Sequence, residues 1–265
     1  GAQLQKGVAR PLFYLVGGMQ NYNWNWGVFF ETVPTGDATF FDWLLSGLQW
    51  TVAVSLTAWV MALAIGSVIG VLRTVPNRWL AAFAAGYVEI FRNIPLLAQL
   101  FLWFYVFPEL LPPAAGRWIK DLDPTLGQYL TASLCLGFFT SSRISEQLRA
   151  GIQSLARGQR AAGQALGLTL PQTYRHVLLP MAFRLILPPL TSEFLNVFKN
   201  SSVALTIGLF ELTKTSQQIS DYTAQTFEAF TAVTLLYLSI TFTVTIGMRW
   251  LERKARVPGY MGSAR

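Results

Sequence analysis

From Trp43 to Leu72 the chain carries no charged side chain. As a helix rising about 1.5 Å per residue, this run would be about 45 Å long, more than the roughly 30 Å hydrocarbon core of a bilayer. It therefore has to tilt in lipid or project from it. The rest of the chain agrees with lipid as solvent. Only 12% of residues are charged and 52% are hydrophobic, against about 25% charged in soluble domains. Disorder is excluded by the same deficit, and an ordinary soluble domain is disfavoured. Cys135 is the one cysteine and His176 the one histidine, so a disulfide framework, a cysteine metal site and a histidine cluster are all excluded.

Four further segments resemble crossings. Pro124 to Ser142 and Ala229 to Met248 are uncharged, whereas Trp79 to Leu111 carries Glu89, Arg92 and Pro95, and Leu185 to Phe210 carries Glu193 and Lys199. The expectation is an all-α membrane protein of five helices at about 43–72, 79–111, 124–148, 185–210 and 229–250. A segment at 149–180 connects the third crossing to the fourth, an N-terminal segment 1–42 precedes the bundle, and a tail at 257–265 follows it. Alternate connections collect the bases Arg73, Arg78, Arg149, Arg157, Arg160, Arg175, Arg184, Arg249, Arg253, Lys254 and Arg256. The opposite set holds Glu31, Asp37, Asp42, Glu109, Asp121, Asp123, Glu211, Asp221 and Glu228. The positive-inside bias then places the N-terminus outside and the C-terminus in the cytoplasm. The net charge of +7 reports orientation and gives no reason to invoke nucleic acid. Residues 1–18 lack the compact apolar core of a signal peptide; Met19 is a possible natural start, with the preceding residues an extension or non-native.

No phosphate-binding G-x-x-x-x-G-K-[ST], H-E-x-x-H or G-x-S-x-G motif occurs, so the chain does not bind ATP in the P-loop manner and shows no hydrolase signature. Gly66 and Gly70 form a small-residue spacing read as packing inside one chain rather than oligomer contact. The segment between the third and fourth crossings is more informative. Ala161, Ala162 and Ala165 favour a short helix, Gly167 suits a left-handed stop, and Pro171 suits the first turn of a second helix. A helix, a glycine stop and a second helix make a rigid projection suited to docking another protein.

That stretch resembles the EAA loop of importer-type ABC permeases. Ala161-Ala162-Gly163, Gly167 and Val177-Leu178-Leu179-Pro180 match its spacing. Ala161 stands where the family has glutamate, so contact through that carboxylate is not expected; Arg157 and Arg160 are the substitutes. Thr51-Val52 with Ser55, then Gly66, Gly70 and Arg73, and Tyr87-Val88-Glu89-Ile90-Phe91-Arg92-Asn93-Ile94-Pro95-Leu96-Leu97 resemble the polar amino-acid subfamily. Asn23-Trp24-Asn25-Trp26-Gly27, the run Arg73 to Arg78 and Pro188-Pro189 are similar to subunits of glutamate/aspartate permeases. The resemblance implies an ABC permease fold in a bacterial inner membrane, two separate ATP-binding subunits, a second and paralogous permease, and a periplasmic amino-acid-binding protein, with no cofactor and no catalysis by this chain. It assigns ATPase coupling to Arg157, Arg160, Ala161, Ala162, Gly163, Gly167 and Leu168.

Charged groups within a bilayer cost about 2.5–3.5 kcal/mol each and need partners or a function. Helical spacing puts Glu193, Asn196 and Asn200 on one face, with Lys199 within a turn of Asn196 and Ser201 following. Pro188-Pro189 can break the helix just before them. A zwitterionic amino acid needs an acceptor for its ammonium, a role for Glu193, and donors for its carboxylates, roles for Asn196, Asn200 and Ser201. In permeases for basic amino acids, acids in this span are implicated in recognition; Asn200 lacks that charge and fits an acidic substrate. Arg143 with Ser141 is a further candidate, weighed against snorkelling to the interface. Glu89 and Arg92 are read as a structural pair, and His176 as a surface or packing residue. An ion-coupled secondary amino-acid transporter, with Glu193 as the ion site, is the competing reading. Internal repeats common in such folds are not evident.

Overall fold

The computed structural model describes residues 22–255. The expectations about residues 1–18 and the tail 257–265 lie outside them, as does the side chain of Arg157. Every long element is helical: α1 (Phe40–Leu72), α2 (Arg78–Asn93) and α3 (Leu96–Leu110), then α4 (Pro113–Lys120) and α5 (Pro124–Ser154). They continue as α6 (Arg157–Ala165), α7 (Leu170–Ile207), α8 (Leu212–Thr223) and α9 (Thr226–Ala255).

Local chemistry sets the boundaries. Thr39 and Asp42 form a capping box at the start of α1, with Thr39 N donating to Asp42 Oδ2 at 2.8 Å and Asp42 N to Thr39 Oγ1 at 3.3 Å. This satisfies orphan donors at the first turn. Asn77 Oδ1 accepts from Trp79 N and Leu80 N to open α2, and Asp123 Oδ1 accepts from Leu126 N at the start of α5.

The architecture is organised around α5, which packs along α1 and is flanked by α2, α3 and α7. A Cβ on Gly66 would lie 2.8 Å from Ile144 Cβ and Ser141 O, and one on Gly70 would lie 3.0 Å from Leu148 Cβ. The small residues thus let α1 and α5 approach within one chain, as expected from the sequence. Val54, Ala58, Leu136 and Val197 fill one part of the core; Ala62, Ile144, Ile186 and Leu190 fill another.

Three elements, α1, α7 and α9, are long and apolar enough to cross a membrane, and the bent pair α2–α3 makes a fourth if taken as one span. The expected helix at 124–148 exists within α5 but is not in that set. Its Ser, Thr and Gly residues face neighbouring helices, and hydropathy reports exposure to lipid, which α5 largely lacks. The expected crossing at 79–111 is not straight: α2 and α3 meet at 102°. Ile94 is extended (φ −86°, ψ 131°) before Pro95, as the steric clash with a proline ring requires. Gln99, buried, clamps the corner by donating to Phe91 O at 2.8 Å and Ile94 O at 2.9 Å. Pro188 and Pro189 do not break α7, which stays α-helical from Leu179 to Asn200. Packing between α5 and α9 holds the helix despite the lost ladder bonds. It narrows to a 3-10 helix only at Ser201–Ile207 and stops at Gly208, whose φ is +92°.

Candidate functional site

Within the bundle, Arg143 of α5 faces Glu193 of α7. Their Nη1 and Oε1 atoms are 3.6 Å apart, and Gln147 Nε2, one turn along α5, donates to the same oxygen at 3.4 Å. The two ends of the pair differ in environment: the Arg143 side chain is 45% exposed and the Glu193 side chain 11%. The guanidinium also lies 5.1 Å from the centre of the Phe139 ring, a cation–π contact. Arg143 therefore does more than snorkel, and Glu193 takes its countercharge from α5 rather than from Lys199, which is exposed on its own helix. Gln147 Oε1 is buried beside this pair with no hydrogen-bond partner among the described residues. A buried acceptor without a donor is uncommon, and here it enlarges the acceptor capacity around Glu193.

The other expected substrate residues divide between places. Ser141 is fully buried against α2, sharing a 2.6 Å hydrogen bond with Tyr87 OH and donating to Phe138 O at 2.7 Å. Asn200 and Ser201 line a crevice of about 10 Å³ with Val54, Leu100 and Cys135, room for about one water. Ser201 Oγ donates to Phe198 O at 2.8 Å. Asn196 is half-buried. The structure thus joins Arg143 to Glu193, adds Gln147, and leaves Ser141 in a helix–helix contact.

At one end of the bundle α6 folds back on the first turns of α7. Gly167 has φ +79°, the left-handed conformation for which glycine is suited. Thr169 and Gln172 form a capping box for α7, with Pro171 in its first turn. Leu168 N donates to Gly163 O at 3.1 Å. Gly163 is buried: a Cβ there would lie 3.0 Å from Thr173 Cγ2. Ala161 and Ala162 are exposed, Leu168 is half-buried, and Leu166 at the tip is 81% exposed. Arg160 lines a cavity of about 360 Å³ together with Arg73, Thr74 and Gln153. His176 is exposed, as expected.

Two carboxylates were not singled out by sequence reasoning. Glu146 binds Arg73, just past the end of α1, and Arg149, the latter at 2.9 Å, and lies 3.9 Å from Arg92 of α2. Glu89 instead accepts from Asn93 Nδ2 at 2.7 Å, so the expected Glu89–Arg92 pair does not form, and Arg92 lies near Glu146 of α5 instead. Spacing along α5 could have revealed Glu146 with Arg149; nothing in the sequence pairs it with Arg73. At the opposite end Glu211 caps α8 and is fully buried. An acidic residue just after Gly208 was the available signal for that cap.

Long apolar helices enclosing a polar pair, with a helix–glycine–helix projection at one end, are the architecture of an integral membrane protein. Residues 62–257 match the family described as the binding-protein-dependent transport system inner membrane component, and the chain belongs to that family. It is 51% identical over 241 residues to the glutamate/aspartate import permease protein GltJ of Escherichia coli (strain K12), covering 91% of this chain and 98% of the relative. It is 30% identical over 234 residues to the glutamate/aspartate import permease protein GltK of Escherichia coli O157:H7, covering 88% and 99%. Among solved structures, an amino acid ABC transporter crystallised with histidines matches at TM-score 0.68 and 26% identity, covering 81% of this chain and 95% of that one. The MetNI methionine ABC transporter matches in fold at TM-score 0.67 and 21% identity, over 81% and 97%.

Proposed function

We propose that this chain is one permease subunit of an ATP-driven importer of glutamate and aspartate. The observation that carries the reading is its 51% identity to a glutamate/aspartate import permease across 98% of that relative's length. The similarity to GltK supports a paralogous permease as partner, and the match to a binding-protein-dependent family supports a periplasmic binding protein that delivers substrate. ATP is hydrolysed by two separate subunits docked on α6. The basic ends of α1, α5 and α9 face the cytoplasm, the N-terminus lies outside, and α5 counts as one of five crossings despite its polarity.

The chemistry of recognition follows from the pair inside the bundle. When the Arg143–Glu193 contact opens, it presents one cation and one anion, the complement of an amino acid's α-carboxylate and ammonium. Gln147 Oε1 adds an acceptor on the ammonium side. Lys199, Asn196, Asn200 and Ser201 follow along α7 and meet the second carboxylate of an acidic substrate; with Asn rather than an acid at position 200, that carboxylate meets no added negative charge. Closure of the ATPase subunits displaces α6 through Arg157, Arg160, Ala161, Ala162, Gly163, Gly167 and Leu168, and alternating access results.

Co-reconstitution with the ATPase subunits, partner permease and binding protein in liposomes tests this. Labelled glutamate should accumulate only with ATP and be displaced by aspartate. Accumulation by the chain alone down an ion gradient, or stronger competition by arginine or histidine, overturns it.

A further inference from the structure

Gly163 of α6 rests on Thr173 of α7, and the next residue, Tyr174, opens a π-helical turn at Tyr174–Leu178. Such turns inside α-helices recur at functional positions. The Tyr174 side chain is buried (5% exposed). Its hydroxyl donates to Thr74 O at 2.8 Å and lies 3.0 Å from Thr74 Oγ1. Thr74 is not a loose acceptor: its own N and Oγ1 both bond Val71 O at 2.8 Å at the end of α1. Three residues later Asn77 caps α2. The cavity of about 360 Å³ separates Arg160 of α6 from Arg73 and Thr74, and the Tyr174 hydroxyl bridges directly from the base of the α6 projection to the α1–α2 loop.

Beyond that loop the contacts grade in strength. Arg73 is 13% exposed and bound to Glu146, whereas Arg92, at the far end of α2, is 57% exposed and 3.9 Å from the same carboxylate. The Arg92 contact is the looser of the two, and it sits beside the 102° corner between α2 and α3. A push on the α1–α2 loop thus meets a fixed ion pair near it and a releasable one at the corner. Coupling of this kind needs rigid elements joined to one that has two arrangements; α2 is the rigid element and the corner is the place for the second arrangement.

We propose that Tyr174 is a positioning residue for transport: its hydroxyl ties the α6 projection to Thr74, so that displacement of α6 moves α2 and releases Arg92 from Glu146. The inference rests on the reading that partner ATPase subunits move α6. Tyr174→Phe keeps the buried ring and removes only the donor. In the assembled complex it should leave subunit assembly and ATP hydrolysis near wild type and lower uptake per ATP about threefold to tenfold, the worth of one hydrogen bond. Thr74→Val, which keeps the carbonyl acceptor, should lower it less than twofold. An unchanged ratio of uptake to hydrolysis in Tyr174→Phe, or assembly, hydrolysis and uptake falling in parallel, overturns the proposal. Hydrogen exchange of residues 73–78 in the same complexes gives a reading independent of substrate. ATP should alter exchange in wild type and not in Tyr174→Phe; an equal response, or none in either, overturns it. A wild-type complex that responds to ATP in exchange but accumulates no acidic amino acid would instead reject the substrate assignment.

Discussion

Glu193 and Glu211 are both buried acids in a chain with few of them, yet they are held in opposite ways. Glu211 Oε1 accepts from Lys214 N at 2.8 Å, and Oε2 accepts from Thr213 N at 2.9 Å and Tyr237 OH at 2.8 Å. Next to it Leu212 N donates to Thr51 Oγ1 at 3.1 Å, and a Cβ on Gly47 would lie 2.6 Å from Thr215 Oγ1. The carboxyl thus joins α8 to α9, and the Leu212 amide and Thr215 beside it hold α1 to the same end of the bundle. Glu193 has only side-chain donors, at 3.4 and 3.6 Å, beyond the usual range of a good hydrogen bond. A carboxylate fixed by backbone amides at short range cannot change partners without unfolding a helix end. One held by two longer side-chain contacts, one of them half in the open, can exchange its partner for a ligand.

The largest effect that would break this contrast is at Glu211. Glu211→Ala leaves the Thr213 and Lys214 amides without their cap and the Tyr237 hydroxyl with only Thr213 Oγ1, 3.2 Å away, to accept from it, a loss of roughly 2 kcal/mol at typical costs per group. The unfolding midpoint in detergent should fall sharply, and the amount of membrane-inserted protein with it. A midpoint equal to wild type would remove Glu211 from the architecture. At Glu193 the expectation is the reverse. Glu193→Gln retains shape and a polar tip, and Arg143 keeps access to solvent. The midpoint should hardly move while uptake by the assembled complex falls at least about tenfold, the worth of a charge-assisted hydrogen bond to an ammonium. A large drop in midpoint with uptake retained would make Glu193 a second lock.

A smaller effect sharpens the substrate side. Asn200→Asp restores a negative charge on α7 after Glu193 and should weaken glutamate uptake by a few-fold, through repulsion across a partly hydrated path. Competition by glutamine, which lacks the second carboxylate, should be less affected. Equal loss for both substrates would place Asn200 outside the recognition path.

What the sequence made legible divides along the same line. Local signals were sufficient for the α6 projection, where Ala161, Ala162, Ala165, Gly167 and Pro171 act within a few residues of one another; the Thr169–Gln172 capping box was not read from the sequence. The uncharged run from Trp43 sufficed for α1, and the Gly66–Gly70 spacing for its contact with α5. The candidate pair was half legible: Glu193 and Arg143 were each marked as charges in apolar surroundings, but their meeting depends on the register of α7 against α5. The Arg73–Glu146 contact joins residues 73 apart in the chain, beyond any periodicity. The angle at Ile94–Pro95 was invisible for a related reason. Proline ends α2, but Gln99 reaching back to Phe91 and Ile94 sets the corner, and that depends on which side of α3 faces the bundle. α5 reads weakly as a span because its neighbours, not lipid, solvate its Ser and Thr residues.

The finest test of the contrast is the pH dependence of the Glu211 lock. Burial pushes the Glu211 carboxyl above its ordinary 4.5, outweighing the hydrogen bonds from Thr213, Tyr237 and Lys214 that pull the other way. A carboxyl raised on folding contributes stability that is complete below its unfolded pKa and is lost as pH rises through the folded value. Glu211→Gln keeps an acceptor and removes the titration. The advantage of wild type over this variant in unfolding midpoint should therefore be greatest in acid and should shrink as pH is raised above 4.5. An advantage that grows with pH would mean that the donors stabilise the ionised form more than burial penalises it. Glu211 would then be a charged anchor rather than a protonatable one, and the difference from Glu193 would lie in the number and length of its bonds alone.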